Sequence, residues 1–307
     1  MQVATHIHVI INLAIPVLVC FSVLCLQPVH AEQPGHAAQT VHSPSTTRII
    51  TLAPHLTELV YLLQQDSHIV AVSDYSDYPA DAARHPSVSS YTGVDFAAIL
   101  TLKPTHVIAW EGGNKAQDIA KLHSLGLNVL SIPIHNLDDI GGALITLGQF
   151  LDQGHTNNDP NQPKQLGQSL AQAYVTQLNA LRQQYRQRPQ QSVFYYSWPT
   201  PLMSIGKGAW ANNALGVCHL RHIFADSPVA YPQVALAQVL REQPNWLINV
   251  SKEPFEDIAQ FWQPHRSVLA APIVQLNPDL LHRFTPRILQ EIKKMCTLTE
   301  GATPHSL

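Results

Sequence analysis

Apolar residues along this chain follow two rhythms. Short, nearly continuous apolar runs alternate with stretches whose apolar positions recur every three or four residues. The runs predict strands over 48–52, 69–73, 106–110 and 128–132. The stretches predict helices over 57–63, 96–102, 117–125 and 138–152, the last with Asp138 at its start, where the helix dipole favours an acid. Strands that are apolar on both faces and alternate with helices belong to a parallel α/β sheet. A polar segment with two prolines, 153–163, interrupts the series. Beyond it, Leu166, Leu170, Tyr174, Leu178, Leu181 and Tyr185 mark one face of a helix over 164–188, about 37 Å long at 1.5 Å per residue. Pro189 stops it, and the alternation restarts with strands over 192–196, 246–250 and 274–276 and helices over 211–215, 233–241 and 286–296. Each half repeats a helix, a Pro-containing stop and an apolar strand: Leu102-Lys-Pro-Thr-His-Val-Ile in one, Arg241-Glu-Gln-Pro-Asn-Trp-Leu-Ile in the other. The pattern predicts two α/β lobes, 48–152 and 190–298, flanking a loop and a long helix over 153–189, with a tail over 299–307.

The first 31 residues lack Lys, Arg, Asp and Glu, and an apolar stretch runs over 9–26. Val29 and Ala31 then place small residues at −3 and −1 of a cleavage point, the pattern of a secretory signal. The alternative, a membrane anchor, would need this marginally long stretch to span. Neither Cys20 nor Cys25 follows the small residue that a lipoprotein signal requires, so the expected product is a soluble periplasmic protein cleaved near Ala31. Residues 32–47, rich in Pro, Ser, Thr, Gln and His, read as a flexible leader. Two of the four cysteines leave with the signal; Cys218 and Cys296 remain, as one disulfide or as two buried thiols.

The chain of 307 residues is 45% hydrophobic and 13% charged, with a formal net charge of −3. No basic field is present to favour nucleic acid. Seventeen histidines invite a metal reading, yet there is no His-x-x-x-His beside a helical Glu and no Cys-x-x-Cys. His219 and His222 are the nearest helical-type pair, and surface or packing roles compete for them. No Gly-x-Ser-x-Gly, P-loop or Gly-x-Gly-x-x-Gly after a strand points to an enzyme, although a metal-dependent periplasmic enzyme stays as a third reading.

Several segments in order carry a family resemblance: Arg48-Ile-Ile-Thr-Leu-Ala-Pro with Thr57-Glu-Leu59, Tyr75-Ser-Asp-Tyr-Pro79, Leu102-Lys-Pro104, and Ile108-Ala-Trp-Glu-Gly-Gly-Asn114. The second half adds Gly206-Lys207, Leu215-Gly-Val-Cys218, Asn245, and Asp279 with Arg283, Pro286, Arg287 and Cys296. Over about 48–298 the chain resembles the helical-backbone (class III) substrate-binding proteins of ABC importers, in their cobalamin branch. The resemblance implies two Rossmann-like lobes with parallel sheets, joined rigidly by one long helix, with ligand in the cleft between them. It also implies a Cys218–Cys296 bridge, no permanently bound cofactor, cobalamin or a related corrinoid as the transported ligand, and an importer permease as partner. Haem or a ferric siderophore in the same fold is the alternative ligand.

A corrin ring is a broad apolar disc rimmed by amides, so it needs aromatic walls and a few placed polar groups. By motif position the resemblance puts Tyr75, Tyr91 and Trp110 on the first lobe's cleft loops, and Met203, Tyr231, Asp279 and Arg283 on the second lobe's, with Trp198 as a further wall. Tyr91 and Tyr231 stand where the family has Trp, and Met203 replaces an aromatic. Asp279 and Arg283 would bond the amide rim, or form a plain i, i+4 ion pair. His55 and His282 fall near the cleft loops and are candidates for a bond to cobalt or haem iron. Ala97 and Ala237 occupy the positions where the class presents one glutamate per lobe to the permease, so either neighbours such as Asp95 or Glu242 serve docking, or the partner differs, or the protein no longer feeds that importer.

Overall fold

The computed structural model describes residues 47–152 and 162–300. The expected signal peptide, the leader before Thr47, most of the 153–163 loop and the end of the tail lie outside the described residues.

The first lobe is built from β1 (Ile49–Thr51), α1 (Pro54–Leu62), β2 (Ile69–Ser73), β3 (Ser87–Ser90), β4 (Gly93–Val94), α2 (Phe96–Leu102), β5 (His106–Glu111), α3 (Ala116–Ser124), β6 (Val129–Pro133) and α4 (Asp139–Leu151). Its six-stranded sheet runs β4-β3-β2-β1-β5-β6, all parallel except β4 against β3. Alternation along each strand divides the core. Ile49 and Ile108 join α1 and α4 on one face, while Ile50, Val107 and Ala109 join α2 and α3 on the other.

A 23-residue helix, α5 (Pro163–Tyr185), leads to the second lobe. Of its predicted apolar face, Tyr174, Leu178, Leu181 and Tyr185 are buried, and Leu166 and Leu170 pack partly buried against the same core. Gly167 and Gly148 let α5 approach α4 closely. A Cβ at Gly167 would come within 2.5 Å of the Leu144 carbonyl oxygen, and one at Gly148 within 2.4 Å of that of Pro163. Tyr174 Oη donates to the Leu137 carbonyl at 2.7 Å, and Arg182 grips Asp138 with two bonds of 2.7 Å.

The second lobe comprises β7 (Gln191–Pro199), β8 (Leu202–Ser204), α6 (Ala211–Val217), β9 (Leu220–His222), α7 (Leu236–Glu242), β10 (Trp246–Asn249), α8 (Phe255–Trp262), β11 (Ile273–Gln275), α9 (Pro278–Leu281) and α10 (Ile288–Leu298). The sheet order is β11-β10-β7-β8, with β9 also beside β7. Since β9 pairs with 191–193 and β8 with 196–199, Tyr195 falls in a gap of the ladder. Side chains fill it: His222 Nδ1 accepts the Tyr195 N–H at 3.1 Å, and Ser204 Oγ donates to the Tyr195 carbonyl at 2.6 Å. His219 instead sits at φ +57° with Nδ1 2.7 Å from the Arg188 carbonyl oxygen, so the His219/His222 pair has two separate packing roles. The expected bridge Cys218–Cys296 joins the end of α6 to α10.

The repeat between the halves is structural. Lys103 (φ +47°) and Gln243 (φ +45°) end α2 and α7 in left-handed conformations, each followed by proline and a strand. Thr105 Oγ1 then accepts from Arg48 N–H at 2.8 Å, and Asn245 Oδ1 accepts from Ser192 N–H at 2.9 Å. One continuous core runs from Ile49 and Leu56 through Tyr174 and Leu178 of α5 to Val193, Tyr195, Ile248 and Ile292, so the lobes share packing as well as a helix.

Candidate functional site

In an open parallel sheet, loops at the carboxyl ends of the strands are where ligands bind. In the first lobe those ends are followed by His55 (after β1), Tyr75 (after β2), Tyr91 (after β3) and Trp110 (end of β5). In the second they carry Trp198 (β7), Lys252 (after β10) and Asp279 to Arg283 (after β11). The Trp198 side chain lies outside the described ones; its backbone pairs with Met203.

The Trp110-Glu-Gly-Gly-Asn turn explains how Trp110 is held. Its ring lies on Gly113, where a Cβ would come within 1.7 Å of a ring carbon. Asn114 Oδ1 accepts the Trp110 N–H, and its Nδ2 donates to the Leu52 carbonyl, both at 2.8 Å, which ties the ends of β5 and β1 together. The half-buried indole packs edge-on to His55 (centroids 5.0 Å) and to Phe284 of the second lobe (5.3 Å). Phe284 also meets His55 at 5.2 Å and Trp210 at 5.2 Å, and Trp210 meets His282 at 6.0 Å. His282 Nε2 lies 2.6 Å from the Tyr195 hydroxyl. The two lobes therefore meet along an aromatic seam, with His55 Nε2 and Trp110 Nε1 buried in it without hydrogen-bond partners.

His55 and His282, expected near the cleft, belong to this seam. Burial, with a smaller contribution from Arg283, lowers the His55 pKa to about 3. Burial lowers His282 to about 4 against the pull of Asp279, and lowers His222 to about 4. The His282 ring nitrogen that faces the Tyr195 hydroxyl is already engaged. These three imidazoles are neutral in the fold, whereas in the unfolded chain they take protons below the ordinary value of 6.5. Their contribution is fully present above that value and is lost as pH falls from 6.5 towards 4. Urea unfolding should therefore show a loss of about 2 kcal/mol between pH 7.5 and pH 6.0, from three groups each approaching about 1.4 kcal/mol per unit. An unchanged midpoint over that range would contradict neutral burial.

Beside the aromatic seam lies a charged one. Arg283 of the second lobe, only 8% exposed, reaches the first: Nη1 donates to Glu58 Oε1 at 3.0 Å, and Nη2 donates to Asp77 Oδ1 at 2.6 Å and to the Tyr75 carbonyl at 3.2 Å. Arg287 lies 3.0 Å from Glu58 Oε2 and stacks over the Tyr78 ring, 3.3 Å from its centroid. Asp279 is 3.5 Å from Arg283 but only 2.7 Å from Lys252. Burial pushes the Glu58 carboxyl up, opposed by Arg283, Arg287 and Thr285. Burial also works against the charge on Arg283, but its bonds to Glu58 and Asp77 outweigh that and hold it above its ordinary value. With two guanidiniums at 3.0 Å, the charged arrangement is the favoured one.

The structure thus brings Tyr75, Asp279 and Arg283 together and links Trp110 to them through Phe284, the neighbour of Arg283. Tyr231, 58% exposed, lies between Ala230 and Pro232, whose carbonyls accept from Gly206 N–H at 2.8 Å and Ser204 N–H at 2.9 Å. Met203 is half-buried in β8. Tyr91 is 90% exposed at the β3–β4 turn. Ala97 and Ala237 are exposed at matching positions of α2 and α7, with Asp95 capping α2 and Glu242 ending α7. Glu58, Arg287, Phe284 and Trp210 were not singled out as site residues. The signal for Glu58 was a charge inside the apolar run Leu56 to Val60, which requires a partner. Among the described residues, no three His, Cys, Asp or Glu side chains gather as a metal site.

Two α/β lobes that turn carboxyl edges towards a shared seam, joined by one long helix, have the architecture of a two-lobed solute-binding protein. Residues 49–261 match the family described as periplasmic binding protein, and the chain belongs to that family. It is 35% identical over 254 residues to a vitamin B12-binding protein of Vibrio cholerae, covering 81% of this chain and 88% of the relative. The crystal structure of periplasmic vitamin B12-binding protein BtuF of Vibrio cholerae superposes with a TM-score of 0.72 at 33% identity, covering 81% of this chain and 95% of that one. A periplasmic haem-binding protein of the same species, HutB, shares the fold with a TM-score of 0.68 at 21% identity, over 83% of this chain and all of the other. These relatives are named as binding proteins, not enzymes.

Proposed function

We propose that this protein captures cobalamin or a closely related corrinoid in the interlobe cleft and hands it to an ABC importer. The observation that carries this reading is the aromatic character of both carboxyl edges, with Tyr75 and Tyr231 largely exposed and Trp110 half-buried, in a chain 35% identical to a vitamin B12-binding protein. Flat rings facing a cleft suit a broad apolar disc; Tyr91 and Met203 extend the wall, and Asp279 with Arg283 supplies a polar edge for the amides. Trp198 is assigned to the same wall by its place at the end of β7. Export follows cleavage of residues 1–31 after Ala31, and the lobes 48–152 and 190–298 act as one body on α5. Permease docking proceeds without glutamates at Ala97 and Ala237, through Asp95 and Glu242, the nearest exposed carboxylates on the same two helices.

Calorimetric titration of the mature protein with cyanocobalamin, haemin and a ferric siderophore tests the ligand. Tight binding of cyanocobalamin alone is expected; heat from haemin and none from cyanocobalamin would replace this reading with the haem one. Trp110→Ala should weaken cyanocobalamin binding by about tenfold or more, since a lost aromatic face contributes on the order of 1.4 kcal/mol. Wild-type affinity in that variant would remove Trp110 from the wall.

A further inference from the structure

The loop after β10 holds a lysine between two anchored neighbours. Ser251 Oγ donates to Asn249 Oδ1 at 2.7 Å and accepts the Glu253 N–H at 3.3 Å. Gln275 Nε2, at the end of β11, donates to the Glu253 carbonyl at 2.7 Å and to the Ser251 carbonyl at 3.4 Å. The backbone on either side of Lys252 is therefore tied to the edge of the sheet. The Lys252 ammonium lies 2.7 Å from Asp279 Oδ2. Asp279 is itself held in place: Asn277 Oδ1 accepts its N–H at 2.9 Å, and Arg283 flanks its other carboxylate oxygen at 3.5 Å. Both partners stay accessible, with 66% of the Lys252 side chain and 33% of the Asp279 side chain exposed. An ion pair this exposed contributes little to folding. A recess of about 470 Å³ opens beside it, walled by Ser251, Asn277 and Lys294 together with the pair.

An ammonium offers only donors and a carboxylate only acceptors. Side by side they match a primary amide, whose carbonyl accepts and whose amino group donates. We propose that Lys252 is a specificity-determining ligand contact: with Asp279 it forms a clamp that reads one primary amide of the ligand rim, Lys252 donating to the carbonyl and Asp279 accepting from the amino group. This rests on the reading of the cleft as a corrinoid site and adds a residue to it. The ammonium has three hydrogens and the carboxylate several lone pairs, so the ion pair stays closed while both groups bond the amide. Lys252 follows β10, the strand between β7 and β11, on the same carboxyl edge that carries Asp279 and Arg283. A rim carboxylate, such as a haem propionate, presents acceptors alone. It keeps a bond to Lys252 but meets Asp279 as a like charge. The clamp therefore selects amide over acid through a repulsive partner as well as an attractive one.

The test titrates cyanocobalamin, and the series of its derivatives that each carry a different rim amide hydrolysed to a carboxylate, into the wild type and Lys252→Met. The substitution should weaken cyanocobalamin binding about tenfold, the scale of one hydrogen bond to a charged group. In the wild type one monoacid of the series, the one hydrolysed at the clamp, should bind about tenfold more weakly than cyanocobalamin. Lys252→Met should weaken that monoacid further, by about a hundredfold, because its carboxylate is left facing Asp279; the other monoacids should lose the same tenfold as cyanocobalamin. A second variant, Asp279→Asn, removes the like charge and should bring the clamp monoacid to within about threefold of cyanocobalamin. Unchanged cyanocobalamin affinity in Lys252→Met would overturn the proposal. Equal losses for cyanocobalamin and every monoacid would overturn it too, since Lys252 would then act on the site at large rather than on one amide. If the wild type binds no cyanocobalamin, the corrinoid reading falls and the clamp with it, whereas tight binding that ignores Lys252 removes the clamp alone.

Discussion

Arg283→Met on its own is expected to lower folding stability by about 3–5 kcal/mol, the usual cost of removing one partner from a buried ion pair. Glu58 stands on α1 among Leu56, Leu59 and Val60, all fully buried, and its carboxylate has no route to water at 2% exposure. Arg283 satisfies one oxygen at 3.0 Å, while Arg287, more exposed, is near the other. Taking Arg283 away leaves a desolvated charge that one partly exposed guanidinium and Thr285 Oγ1 at 3.3 Å must satisfy. Neutralising both members with E58Q/R283M should recover most of the loss, because the penalty comes from the unpaired charge more than from the missing attraction. Urea midpoints at pH 7.5 check both statements. A loss below about 1 kcal/mol for Arg283→Met would mean that Arg287 alone suffices for Glu58.

That cluster also marks where sequence reasoning stops. Glu58 and Arg283 stand 225 positions apart, and their pairing is a product of the fold rather than of any local spacing. Strand 69–73 and helix 96–102 were legible because their apolar runs and their stops coincide with the observed β2 and α2. The 23 residues of α5 follow from an apolar face at helical spacing. What was not legible took its structure from elsewhere. The β3 segment Ser-Val-Ser-Ser has one buried apolar residue and is drawn into the sheet by the edge of β2. The three-residue strands β8 and β9 are too short to carry an apolar pattern, and His222 and Ser204 complete the ladder at Tyr195 between them. Helix α8, Phe255 to Trp262, carries an acidic first turn and is fixed by docking Ile258 and Trp262 against Phe194 and Tyr196. At the site, strand ends betrayed Tyr75 and Trp110. The expectation that Arg283 bonds the ligand came from a motif, while its bonds to the first lobe, at Glu58, the Tyr75 carbonyl and Asp77, became visible only in three dimensions. The histidine excess resolves in part the same way: His55, His106 and His222 are core rings, neutral by burial.

Replacing both bridge cysteines, C218A/C296A, is expected to cost about 4.5 kcal/mol at 25 °C, the chain-entropy value for a loop of this length, or about 10–15 °C in Tm for a chain of this size. The bridge spans 78 positions and encloses β9 through α9, with β7, β8 and α6 of the second lobe outside it, so its effect on the unfolded ensemble is large. Both sulfurs are fully buried in the core that also holds Leu215, Ile292 and Met295, and alanine removes little else from that packing. The urea m-value should rise, because an uncrosslinked unfolded chain exposes more surface. Loss of the bridge should still leave one transition. The core that contains Cys218 and Cys296 runs through α5 to Ile49 and Leu56 in the first lobe, so neither sheet can melt without exposing apolar surface of the other. Circular dichroism and tryptophan fluorescence should therefore report the same lowered midpoint in the variant. Two separated transitions would show that the bridge, rather than the shared core, makes the lobes unfold together.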